Sequence, residues 1–234
     1  MKAIFKREFK SYFRTPLGCI FIGVMYFFTA YYFFTFNLYA GTTDLSTLFS
    51  KLFSVVLFMI PILTARLFSE EKRSHTEQLL LTAPVSRFGI VFSKYLAALC
   101  VYLISISGTI LMTLILSRFG KVDWPAAIGN FIGLLLLGIA LTAICLFIST
   151  ITESQVIAAV LGLGIGLFLI LIDAVQSVIE SAALRSVCSW FSFYQHYQGF
   201  TIGVIDFSNV LYYLLTAVLF LCLADAVLEK RRWN

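Results

Sequence analysis

Charge is what this sequence has least of. Asp, Glu, Lys and Arg together make up 12% of its 234 residues, against 60% hydrophobic residues and a mean hydropathy of +0.95. One soluble core cannot hide that much apolar surface, so a soluble globular protein is excluded and the bilayer must act as the solvent. Histidine is nearly absent, with 2 residues. His75 and His196 fall on opposite sides of the membrane in the topology derived below, and neither has a thiol or carboxylate cluster beside it, so no metal site is expected. Paired cysteines are missing as well. Cys19, Cys100, Cys145 and Cys222 fall within apolar runs and Cys188 stands apart, which leaves no disulfide framework.

Catalytic motifs are also missing. The chain has no G-x-x-x-x-G-K-[S/T] phosphate loop, no H-E-x-x-H and no G-x-S-x-G elbow, so it is not expected to hydrolyse ATP or to act as an enzyme. Asp173, Glu180 and Asp225 are the acidic residues nearest to membrane depth. All three lie near span ends and read as solvated end charges rather than as a proton relay. An intramembrane enzyme needs paired polar groups in the membrane, and no pair stands out.

What the sequence does have is one apolar run after another. Stretches free of Asp, Glu, Lys and Arg cover residues 17–43, 52–65, 95–117, 124–152, 154–172 and 207–224, and a bilayer core needs about 20 apolar residues per helix. The second run becomes long enough when Lys51 and Arg66 lie at its ends and snorkel to the interfaces. One helix through the fourth and fifth runs would be roughly 70 Å long at 1.5 Å per residue, so the polar residues 149–154 must turn there. The expected fold is an all-α membrane domain, residues 1–234, with spans at about 17–39, 47–69, 92–117, 126–150, 154–176 and 208–228.

Orientation follows from the basic residues, which stay on the cytoplasmic side. With the N-terminus inside, only Lys51, Arg118, Lys121 and Arg185 of the 17 Lys and Arg fall outside. Both termini are then cytoplasmic, and the formal net charge of +5 reflects topology rather than affinity for nucleic acid. The run from Leu17 is too long for a signal peptide and lacks a small-x-small cleavage site, so it reads as a retained span.

Three shorter segments carry further information. Residues 1–15 place Ile4, Phe5, Phe9, Tyr12 and Phe13 at helical spacing among Lys2, Lys6, Arg7 and Lys10, which predicts an interfacial amphipathic helix; Pro16 suits the corner into the membrane. Between the second and third spans, Thr76, Glu77, Gln78, Leu79, Leu80 and Leu81 predict a short helix that Pro84 stops. Its exposed leucines suit either protein docking or the headgroup region. Between the fifth and sixth spans, Trp190, Phe191, Phe193, Tyr194, His196 and Tyr197 predict short helices in or dipping into the outer leaflet. The fifth span carries Gly162-x-x-x-Gly166, a small-residue face for close helix approach.

Residues 70–87 read Glu-Glu-Lys-Arg-Ser-His-Thr-Glu-Gln-Leu-Leu-Leu-Thr-Ala-Pro-Val-Ser-Arg. This segment resembles the signature of ABC-2 type permeases, close to E-K-R-x-G-T-x-E-x-L-L-x-x-P-[V/I]-[S/T], with His75 in place of the usual glycine. The basic amphipathic start, six spans, aromatic outer segment and basic ending at Leu228, Glu229, Lys230, Arg231, Arg232 and Trp233 are similar to that family too. Residues 193–206, with Val210, Tyr212 and Tyr213 after them, are most similar to its gliding-motility-type branch.

The resemblance implies the ABC-2 (type V) exporter fold and a permease subunit in a bacterial plasma membrane. It would pair with a second permease copy or a paralogue and be driven by a separate cytoplasmic ABC ATPase on each half, which binds ATP and Mg. This chain would bind no cofactor itself. An auxiliary membrane subunit with a large outer domain is a further implied partner. The coupling helix would be Thr76, Glu77, Gln78, Leu79, Leu80 and Leu81, with Phe5 and Phe9 on the second ATPase contact. The translocation path would include Phe53, Phe58, Met59, Gly162 and Gly166. The rival reading is a stand-alone secondary transporter or channel.

Overall fold

The computed structural model describes residues 2–73, 86–176 and 188–232. The described residues form helices and no strands. Helix α1, Lys2–Arg14, ends where Thr15 adopts an extended conformation (φ −90°, ψ 149°), because the ring of Pro16 disfavours the helical region for the residue before it. Pro16 then opens α2, Pro16–Phe33, at a position where its missing N–H costs nothing, and a π-helical stretch, Phe34–Tyr39, completes that span. Then come α3, Ser46–Thr64; α4, Arg66–Arg73; α5, Arg87–Phe119; and α6, Trp124–Ile151. The last three are α7, Gln155–Gln176; α8, Phe193–Thr201; and α9, Phe207–Arg232.

Among the described residues six segments are long and apolar enough to cross a membrane: Pro16–Tyr39, Ser46–Lys72, Arg87–Phe119, Trp124–Ile151, Gln155–Val175 and Phe207–Lys230. The turn between α6 and α7 is made at Thr152, whose extended backbone (φ −92°, ψ 148°) ends the helix. Asp123 caps the start of α6, with Pro125 in its first turn. Arg87 at the start of α5 pairs with Glu229 near the end of α9 at 2.9 Å, and α1 packs on α5. The two termini therefore share one end of the bundle.

The centre is α6, which carries no charged residue and packs against α3, α5, α7, α8 and α9. Glycines let it do so. A Cβ on Gly138 would stand 2.0 Å from the ring of Tyr102, a fully buried side chain whose hydroxyl donates to the Leu134 carbonyl at 2.6 Å. By contrast α2, α7 and α9 leave outward faces of residues such as Ile20, Phe27, Val156, Val160, Leu215 and Val218 exposed. In a membrane protein such a face meets acyl chains at no hydrophobic cost.

The aromatic segment at the far end folds inward. Ser192 caps α8 by accepting from the Gln195 amide at 3.0 Å and donates to Asp173 at the end of α7. Tyr197 and Phe200 are buried against α6, where Gly129 and Gly133 leave room for them, and Phe193 is buried against Tyr212 and Tyr213 of α9. Burial pushes the Tyr197 phenol well above its usual range. Gly203, with φ +75°, takes the left-handed turn that sends the chain back towards α9. Trp190 and Phe191 remain exposed.

Candidate functional site

The most concentrated polar chemistry lies at the termini end, where α1, α4 and α5 meet. Its local origin is the amphipathic pattern of α1. Ile4, Phe5, Glu8, Phe9 and Tyr12 face the bundle, while Lys2, Lys6, Lys10 and Arg14 stay in the open. Phe5 and Phe9 stack with centroids 5.9 Å apart on the packed side. Tyr12 is buried and its hydroxyl donates to the carbonyl of Leu63, near the end of α3, at 3.1 Å. Burial raises this phenol far above its ordinary range, so it remains a neutral donor.

Glu8 then points at a buried lysine. The Lys94 side chain, on the second turn of α5, is 1% exposed, while Glu8 and Glu71 are 13% and 15% exposed. Lys94 Nζ lies 3.0 Å from Glu71 Oε1 and 3.4 Å from Glu8 Oε1, and donates to the Leu67 carbonyl at 2.6 Å. The carbonyl takes one ammonium proton, and the two carboxylates balance the charge as ion pairs. The ammonium also sits 4.9 Å from the centre of the Phe68 ring, a geometry that stabilises a cation. Arg7 closes the cluster from outside, with Nη2 at 2.6 Å from both Glu8 Oε1 and Glu71 Oε1.

A second arginine braces the same corner. Arg66 donates to Thr15 Oγ1 at 2.6 Å and to Ser11 Oγ at 2.7 Å, and pairs with Glu70 at 3.2 Å. A cleft of about 310 Å³ runs beside these groups, bordered by Glu8, Arg14, Arg66, Glu70 and Lys94.

The break between α3 and α4 is held from α6. Ser149 Oγ accepts from the Phe68 and Ser69 amides at 3.0 and 3.3 Å and donates to the Ala65 carbonyl at 3.1 Å. A side chain from another helix thus serves donors that the interrupted ladder leaves over. Lys72 Nζ reaches the Thr152 carbonyl at 3.2 Å. The termini end of α4 is therefore locked to α1, α5 and α6 at once.

The residues expected to line a path lie elsewhere on α3 and α7. Pro61 interrupts α3, removing the N–H that would have bonded the Leu57 carbonyl. Gly162 and Gly166 of α7 pack there, such that a Cβ would stand 2.8 Å from Pro61 Cβ and 2.8 Å from the Leu57 carbonyl oxygen. The glycine pair thus seats α7 on α3 of its own chain. Phe53 is buried under α8, its ring 5.3 Å from Tyr194 and 5.1 Å from Tyr197, while Phe58 and Met59 are half-buried.

Thr76, Glu77, Gln78, Leu79, Leu80 and Leu81 lie outside the described residues. Glu8 carried no expectation from the sequence, Glu71 figured only in the permease-like segment, Ser149 only in the turn after the fourth span, and Lys94 only as a marker of orientation. The available signal was a lone lysine at a span start with an acidic residue in an otherwise basic amphipathic helix.

A family model described as ABC-2 family transporter protein matches residues 5–173. The chain belongs to that family. No curated protein matches it. The match runs from α1 to α7, so it contains every residue of the ion-pair junction, whereas α8 and α9 lie beyond it. As an ABC-2 family protein with six apolar helices, the chain is a multi-pass membrane transport component and not itself a catalyst.

Proposed function

We propose that this ABC-2 protein is the permease subunit of an ATP-driven exporter and that force from a separate cytoplasmic ATPase enters it through the α1–α4–α5 junction. The observation that carries this reading is the buried Glu8–Lys94–Glu71 cluster. It joins the amphipathic helix, the end of the second span and the start of the third into one block. A load applied to α1, or to the segment that follows α4, is then passed to three helices together. The interrupted ladder at Pro61 offers α3 a point about which that block tilts against the far half of the bundle.

In this reading the termini end faces the cytoplasm of a bacterial cell, as its basic residues favour. Thr76, Glu77, Gln78, Leu79, Leu80 and Leu81 form the coupling helix, while Phe5 and Phe9 hold α1 against the bundle so that its basic face meets the ATPase. ATP and Mg belong to the partner. The cargo path runs where two permease copies meet, beside the half-buried Phe58 and Met59 of α3, while Phe53, Gly162 and Gly166, packed within the chain, support that wall from behind. An auxiliary subunit with a large outer domain fits the similarity to the gliding-motility-type branch.

The test is purification of the tagged chain from native membranes in mild detergent, with its stoichiometric partners identified by mass spectrometry. A P-loop ATPase is expected, and Leu79→Glu with Leu80→Glu should abolish its retention while leaving insertion intact. A chain that reproducibly purifies alone would overturn the proposal.

A further inference from the structure

Two unfilled spaces meet at the end of the bundle opposite the termini. The first is an apolar groove of about 210 Å³, bordered by Phe49 of α3, Thr113 and Leu114 of α5, and Trp124, Ala127 and Phe131 of α6. The second is a polar pocket of about 340 Å³, bordered by Asp44, Ser46, Lys121, Asp123, Ala127 and Asn130. They share Ala127. On α3 and in the loop after α5 the polar pocket is the shallower, since Ser46 precedes Phe49 by a turn into the membrane and Lys121 lies beyond Leu114; on α6 the two run side by side, from Asp123 and Trp124 down to Asn130 and Phe131.

The pocket carries a group that lacks a partner. Asn130 is fully buried, and its Nδ2 donates to the carbonyls of Ala126 at 2.8 Å and Thr201 at 3.4 Å. Those bonds fix the amide's orientation and leave Oδ1 without a hydrogen-bond partner among the described residues. An unmet buried acceptor costs stability unless something donates to it. The two carboxylates retain acceptor capacity as well. Asp44 Oδ1 takes the Ser46 amide and hydroxyl at 2.9 and 2.6 Å, and Asp123 Oδ1 takes the Ala126 amide at 3.5 Å, which leaves each Oδ2 for a ligand.

We infer that the groove and pocket together hold one phospholipid of the far leaflet whose headgroup carries a primary amine, as phosphatidylethanolamine does. One acyl chain lies in the apolar groove beneath Trp124, whose indole sits at interface depth. Lys121 faces the phosphate, while Asp44, Asp123 and the free Asn130 Oδ1 accept from the ammonium and the glycerol region. The formal charge of the pocket, two carboxylates against one ammonium, disfavours a purely anionic lipid. A quaternary ammonium brings no N–H donor for the three acceptors. This assignment is independent of the energy source proposed above.

The full-length chain, purified in mild detergent, is titrated with phosphatidylethanolamine, phosphatidylglycerol and phosphatidylcholine of identical acyl chains and read by native mass spectrometry. The first lipid should bind about tenfold more tightly than the other two, the scale of one charge-assisted hydrogen bond. Asp44→Asn should remove most of that preference, whereas Lys121→Glu, on an exposed loop, should weaken all three lipids, because it repels the phosphate they share. Ala127→Leu, which fills the junction of the two spaces, should abolish binding of all three. Equal retention of the three lipids, as annular lipid only, would overturn the inference, as would a preference for the anionic lipid. A preference for the amine headgroup that survives Asp44→Asn, or binding of the three lipids that Lys121→Glu leaves unchanged, would equally overturn it, since the lipid would then bind elsewhere.

Discussion

Replacing Lys94 with methionine keeps a side chain of similar length in the same hole and deletes only the ammonium. In the native protein that ammonium pairs with Glu71 and Glu8 and donates to the Leu67 carbonyl, with the lysine side chain 1% exposed. Removing it leaves two largely buried carboxylates facing Arg7, whose side chain is 53% exposed, so much of its attraction is screened by solvent. Breaking a buried pair by removing one partner costs about 3 kcal/mol, roughly two decades in the folded-to-unfolded ratio. Neutralising the carboxylates as well, in Lys94→Met with Glu8→Gln and Glu71→Gln, removes the stranded charge and should return stability to within about 1 kcal/mol of the native value. The assay is equilibrium unfolding in mixed micelles with increasing sodium dodecyl sulfate, read by tryptophan fluorescence. Strictly additive losses across the three substitutions, or a single-mutant cost below about 0.5 kcal/mol, would show the cluster to be a solvated surface network and would refute the idea of a rigid force-transmitting block.

Three further outcomes test other parts of the structure. Gly162→Val and Gly166→Val, each forced against α3, should destabilise by about 1–3 kcal/mol in the same assay, whereas Gly164→Ala, which meets nothing within 4 Å, should be close to neutral. Ser149→Ala strands the Phe68 and Ser69 amides at the α3–α4 break and should cost about 1–3 kcal/mol; faster amide hydrogen exchange confined to α4 would locate the effect. Arg87→Ala breaks a pair whose partners are 30% and 52% exposed, so the change in midpoint should correspond to less than about 1 kcal/mol and shrink further in high salt.

The all-helical membrane class was legible from composition, because no arrangement of so many apolar residues avoids a bilayer or a very large core. The existence of α2, α5, α6, α7 and α9 followed from uncharged runs, and the corner at Thr15 followed from Pro16. These are local properties: a span is set by its own length and hydropathy, and a proline restricts its own neighbour. The glycine pair at 162 and 166 announced a close contact, yet its spacing alone does not say which helix approaches. Only the packed bundle shows the Pro61 segment of α3 as that neighbour.

The ion-pair junction was hidden for a different reason. Glu8 and Glu71 are 63 positions apart, and Lys94 lies further along still; each viewed alone is an ordinary interfacial charge. Their value comes from being brought within hydrogen-bond distance in a site largely closed to water, which depends on how α1 lies against α4 and α5. The same holds for the far-end pocket, where Asp44, Lys121, Asp123 and Asn130 come from two loops and a helix. The sequence by itself determined the solvent, the spans and the family of this protein, because hydropathy and short motifs act over a few turns of chain. The tertiary structure alone decided which charges are buried together and which surfaces remain unfilled, because Coulomb attraction and desolvation depend on distance in space and not along the chain.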